Sequence, residues 1–75
     1  MKEQIKKKLQ RRLSILADEI ARLPEAMRMD PKQLLRETIE QDFAIAEVDG
    51  NQGEMARCEV ELALVDELDE PATAG

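Results

Sequence analysis

Few side chains in this sequence are suited to covalent or acid–base chemistry. Cys58 is the single thiol, and there is no histidine. No imidazole is therefore present to exchange a proton near neutral pH, and no Cys/His set exists for zinc. A lone thiol could act as a redox sensor or a metal thiolate. Cys58, however, occupies an apolar-stripe position whether its segment is taken as helix or strand, which predicts a small packed hydrophobe. Carboxylates are plentiful. Asp66 and Glu70 stand four apart, and Asp66-Glu67 with Asp69-Glu70 makes an acidic run. Paired carboxylates can serve as acid and base, or hold a divalent cation. Acid–base work needs a shifted pKa in an enclosed pocket, and a chain of 75 residues is too short to build a deep one alone. The run lacks EF-hand spacing, and Leu68 in its midst points to the side of a helix. No serine stands beside a candidate base, and no glycine-rich phosphate loop is present. The expectation is a non-enzyme with no cofactor and no metal.

Charge carries more information than chemistry. Eleven basic and 17 acidic residues give a net charge of −6. Residues 1–12 hold Lys2, Lys6, Lys7, Lys8, Arg11 and Arg12 against Glu3 alone, a local excess of +5. From Glu37 onward, twelve acids face Arg57 alone, a local −11. Lys6, Lys8, Arg11 and Arg12 are the candidates for contact with nucleic-acid phosphates. The favoured reading of this head is plainer: a solvated helix face, or a patch neutralised by the chain's own acidic end. A membrane role is not expected, because a basic interfacial helix uses Trp or Phe anchors that this head lacks. Glu59, Glu61, Asp66 and Glu67 are the candidates for contact with a basic partner.

The elements that must position these groups are predicted to be helices. Apolar residues make up 43% of the chain, and Phe43 is its one aromatic residue. A core of Leu, Ile, Val, Met and Ala beside 37% charged residues is the composition of helices and coiled coils. Ile5, Leu9, Leu13, Leu16, Ile20 and Leu23 recur in steps of four and three, which predicts a helix over residues 2–23 with a near-heptad stripe. Glu3–Lys7 and Asp18–Arg22 are spaced for i,i+4 support. Pro24 ends that helix. Met27 and Met29, in the connection, are suited to packing against the core. Asp30-Pro31 supplies an N-cap and a first helical residue, with Gln33 completing a capping-box pattern. The second helix is expected over 31–48, with Leu35, Ile39, Phe43 and Ala46 inward and Leu34 and Ile45 beside them.

Residues 49–53, Asp-Gly-Asn-Gln-Gly, form the clearest break. Beyond it two periods compete. Cys58, Val60, Leu62 and Leu64 alternate like a strand, whereas Met55, Cys58, Leu62 and Val65 mark a helical stripe. The Ala, Glu and Leu content favours a helix over 54–68, with a short strand over 57–64 as the alternative. Residues 71–75 are expected to be a flexible tail after a single helical domain over 1–70.

A chain this short buries only about 60% of the surface its unfolded form exposes. With disulfides and zinc unavailable, the expected supplement is oligomerisation through the first-helix stripe. The unpaired thiol suits a reducing cytoplasm. No export signal is evident, since Asp18 and Glu19 cut short the apolar run after the basic start. No apolar run approaches the ~20 residues that cross a bilayer.

The run Asp30-Pro31-Lys32-Gln33-Leu34-Leu35-Arg36-Glu37-Thr38-Ile39-Glu40-Gln41-Asp42-Phe43 resembles the second helix of ribbon-helix-helix DNA-binding proteins. That resemblance implies a first helix over residues 16–21 and a strand before it, with Gln4, Lys6 and Lys8 facing DNA. Lys7, where such a strand should turn inward, and the long connection over 24–29 depart from the pattern.

Taken together, the expected fold is all-α, a helical hairpin or three-helix unit that forms oligomers. The expected function is that of a small acidic regulator that binds proteins, pairs with a second copy through helices and recognises a partner with a basic surface. The alternatives are a dimeric DNA-binding repressor of the antitoxin sort and a structural assembly subunit.

Overall fold

The computed structural model describes residues 2–70; the expected tail at 71–75 lies outside them. Three α-helices follow one another: α1 (Lys2–Ala21), α2 (Pro31–Asp49) and α3 (Gln52–Val65), with a short 3₁₀ turn at Glu25–Met27 between the first two. The fold is all-α, and no strand occurs among the described residues.

Local signals account for the helix boundaries. At the end of α1 the chain tightens: Arg22 N–H donates to Glu19 O and Leu23 N–H to Ile20 O, at 3.2 and 3.0 Å. The helix thus stops two residues before the expected Leu23, ahead of Pro24. Arg28 then folds back, donating from Nε to Leu23 O and from Nη2 to Ala21 O, both at 3.2 Å. This satisfies carbonyls that a helix end leaves open. Asp30 caps α2 by accepting from Lys32 N–H at 3.3 Å, with Pro31 in the first turn.

The α2–α3 turn is the tightest in the molecule. Gly50 adopts φ 70°, its N–H donates to Glu47 O at 3.1 Å, and Asn51 N–H donates to Ala46 O at 2.8 Å. That pair of bonds is a Schellman ending, which favours glycine at the left-handed position. Asn51 immediately caps α3, accepting from Glu54 N–H at 3.2 Å. The cap explains why α3 begins at Gln52 instead of 54. Its far end closes at Val65, not 68, through short-range bonds from Glu67 N–H to Leu64 O and Leu68 N–H to Val65 O.

The strand alternative over 57–64 is overturned. Cys58, Leu64 and Val65 are buried while Val60 is exposed, so the helical period wins. Burial of one helical face outweighs the β preference of an isolated Val.

α2 and α3 form the most closely packed pair, and α1 lies against both with fewer contacts. The core joins Leu9 and Leu13 of α1, Leu35 and Ile39 of α2, Cys58, Leu64 and Val65 of α3, and Leu68 beyond it. Ile5, Leu16, Phe43 and Leu62 pack around this cluster. The α1 stripe, expected to require a second chain, thus finds most of its neighbours within its own. The connection behaves differently from expectation: Met27 and Met29 face solvent, exposed by 62% and 51%. The molecule is long and flat, 41 × 26 × 15 Å. Its radius of gyration of 13.4 Å exceeds the roughly 11 Å of a compact domain this size.

Candidate interaction site

Burial decides the chemistry of Cys58. Its side chain is fully enclosed in the core. Burial pushes the thiol pKa up, the Glu61 carboxylate adds to the rise, and Arg57 opposes it. The group is held as a neutral thiol, the less nucleophilic form. Among the described residues no cluster of His, Cys, Asp or Glu is arranged to hold a metal ion, and no helix is long and apolar enough to cross a membrane.

The basic head is helical, which overturns the strand implied by the ribbon-helix-helix resemblance. A strand would place Gln4, Lys6 and Lys8 on one face. At about 100° per residue, a helix keeps Gln4 and Lys8 together and sends Lys6 to another side. Gln4, Lys7, Lys8 and Arg11 line one shallow outward concavity on α1. Lys7, not among the expected contacts, therefore joins Lys8 and Arg11. Lys6 is half-buried elsewhere, and Arg12 lies in a groove with Ile15, Leu16, Glu19 and Thr38.

These cations are locally unfavourable. Lys7–Arg11 and Lys8–Arg12 are like-charged i,i+4 neighbours. The positive end of the helix dipole lies at the same terminus, where Glu3 is the single acid of the first turn. Among the described residues none of the six head cations forms an ion pair, and the expected Glu3–Lys7 and Asp18–Arg22 pairs are not closed. The acidic end turns to α2 instead, where Arg36 binds Asp66 and Lys32 Nζ lies 3.3 Å from Glu70. One contact ties that end to α1. Gln10 Nε2 donates to Asp69 O, and Asp69 N–H donates to Gln10 Oε1, each at 3.0 Å. Nothing in the sequence distinguished Gln10 from any other polar helix residue.

The carboxylates expected to meet a basic partner are scattered. Glu59 and Glu67 are exposed, Glu61 is half-buried and Asp66 is engaged by Arg36. The fold gathers a different set. Asp42, Ile45, Ala46 and Asp49 of α2 line a crevice with Asn51, Glu54 and Arg57 at the start of α3. Arg57 is spent on Glu54 at 2.6 Å. Asp42 and Asp49 have no ion-pair partner among the described residues. Beside them Ala44, Ile45, Val48 and Asp49 line an open apolar recess, in which Ile45 is 61% and Val48 87% exposed. The signal for this set was the i, i+3, i+4, i+7 spacing of residues 42, 45, 46 and 49.

The six stripe residues of α1 divide as well. Leu9, Leu13 and Ile20 are buried, Ile5 and Leu16 are half-buried, and Leu23 is 39% exposed. The stripe serves the core first; the three most exposed large apolar groups, Val48, Met27 and Ile45, lie on α2 and the connection.

Fold and surface thus define a small three-helix protein with two oppositely charged helix faces. No protein-family model matches the chain, and no curated protein or solved structure matches it either.

Proposed function

We propose that this protein is a small acidic binding and regulatory protein without catalysis of its own, which recognises a basic surface on another protein through its α2–α3 hairpin. The observation that carries this reading is the exposed Ile45–Val48 surface beside Asp42 and Asp49, carboxylates with no ion-pair partner among the described residues. An apolar centre with a charged rim is how protein interfaces are built. The rim steers and selects the partner, and the apolar contact supplies holding power. Pairing of two copies and a cytoplasmic setting, which suits the unpaired thiol, belong to the same reading. Calorimetric titration with a lysine-rich peptide tests it. The wild-type chain is expected to bind, and Asp42→Lys with Asp49→Lys to weaken binding at least about tenfold, a loss of roughly 1.4 kcal/mol. Equal affinity for both proteins contradicts it.

A second reading rests on the Lys7, Lys8 and Arg11 ridge: a dimeric repressor that holds DNA phosphates through a helix and not through a ribbon. Its signature is duplex binding that falls steeply with salt and is lost in Lys8→Glu with Arg11→Glu.

A further inference from the structure

The five residues after α3 are held as a bound peptide is held. The helix ends at Val65, and residues 66–70 continue beyond it against α1 and α2. Leu68 is the anchor, 3% exposed, in the core cluster with Leu9, Leu13 and Leu35. Two residues to either side of it, an acid is held by α2: Asp66 by Arg36, and Glu70 by Lys32 at 3.3 Å. Between anchor and acid, Gln10 of α1 engages the main chain. Its side-chain amide donates to Asp69 O and accepts from Asp69 N–H, each at 3.0 Å. Neither bond uses the Asp69 side chain, and main-chain bonds of this kind give a peptide site affinity while pockets give it specificity. The receptor side also calls for an anion, because Lys32 and Arg36 are like-charged i,i+4 neighbours on α2.

We infer that the α1–α2 groove is a binding site for a linear acidic segment of another protein, which residues 66–70 occupy in cis. The chemistry of that segment follows from the one now seated: acid, any residue, leucine, any residue, acid. Its leucine takes the place of Leu68, its two acids meet Arg36 and Lys32, and its main chain meets Gln10. The cis segment is fastened from outside. The Asp66 and Glu70 side chains are 77% and 75% exposed, and exposed ion pairs hold weakly. The segment therefore opens at lower cost than the helices beneath it. Tethering sets the terms of exchange, since a short tether keeps the cis segment at a roughly millimolar effective concentration. A partner enters when it binds more tightly than that, or when the cis segment is unfastened. This groove shares no residue with the Asp42, Ile45, Val48 and Asp49 surface and takes a ligand of opposite charge.

Fluorescence anisotropy with a labelled, end-capped peptide of the sequence of residues 65–70 tests it on the full chain. Asp66→Lys with Glu70→Lys unfastens the cis segment without touching its buried anchor. This variant is expected to keep its helical circular dichroism and to bind the peptide at least about tenfold more tightly than the wild type. A peptide carrying Leu68→Ser has the same charge and is expected to bind the variant at least about tenfold more weakly, which separates the groove from general attraction of an acidic peptide. Adding Gln10→Ala to the variant is expected to lower affinity by about tenfold, through loss of the two main-chain bonds. Wild type and variant binding alike, the two peptides binding alike, or no loss with Gln10→Ala each overturn the inference. No binding to the variant at about 1 mM peptide also overturns it. So does a variant that unfolds, because residues 66–70 would then be a fixed part of the fold and not an exchangeable occupant.

Discussion

The α2–α3 hairpin and α1 are stabilised in different ways. In the hairpin, local and long-range preferences agree. Asp30 caps α2, Gly50 ends it in a left-handed turn, Asn51 caps α3, and Leu35, Ile39, Cys58 and Val65 close between the helices. In α1 they conflict. Six cations crowd residues 2–12 against one acid, and the helix is held mainly by burying Leu9 and Leu13 and by the Gln10–Asp69 clamp. Where a local rule is broken without compensation nearby, function is the usual reason. The contrast teaches that α1 is an added arm whose charge is unfavourable to its own helix, docked on a self-consistent hairpin.

The largest expected effect is at Leu13, which is fully buried where α1 meets the core. Leu13→Ala should cost about 2–5 kcal/mol in urea unfolding. If the contrast holds, amide exchange should rise first in α1 while α2 and α3 stay protected. Equal loss of protection in all three helices would erase the distinction. Next comes Gln10→Ala, which removes two hydrogen bonds to Asp69. Being solvent-exposed, they are together worth about 1–2 kcal/mol, and the loss should appear as faster exchange at residues 66–70. Gly50→Ala should cost about 1 kcal/mol. The penalty is purely conformational, because nothing lies within 4 Å of the added methyl, and it should loosen the hairpin without releasing α1.

The smallest effect has the opposite sign. Lys8→Glu should raise stability by a few tenths of a kcal/mol, about 0.3–1, by replacing two like-charge neighbours with pairs to Arg11 and Arg12. Destabilisation instead would show that the head is already satisfied within the chain.

Much of the fold was legible because it is written in local chemistry. The stripe of α1, the Asp30-Pro31 start of α2 and the glycine turn after Asp49 each have one physical reading, and the structure places elements there. The third helix was ambiguous because Cys58 and Leu62 satisfy both periods; burial of Leu64 and Val65 beside an exposed Val60 resolves it. What covers the α1 stripe was not legible, since periodicity shows that a face must be buried but not against what. The candidate site was less legible still. Lys8 and Arg11 line one concavity on the expected helix, and Lys7, left out of the expected contact set, lines it with them. Among twelve acids after residue 36, composition gives Asp42 and Asp49 no distinction. They stand out once α3 folds back and Arg57 is taken by Glu54.

The account turns on where a basic partner meets this protein. Amide chemical shifts recorded while a lysine-rich peptide is titrated into isotope-labelled protein locate that contact directly. The changes should centre on residues 42–49 and 54, leaving residues 4–11 unmoved. Changes spread over the acidic end at 66–70 instead, or no localised change at all, would contradict it.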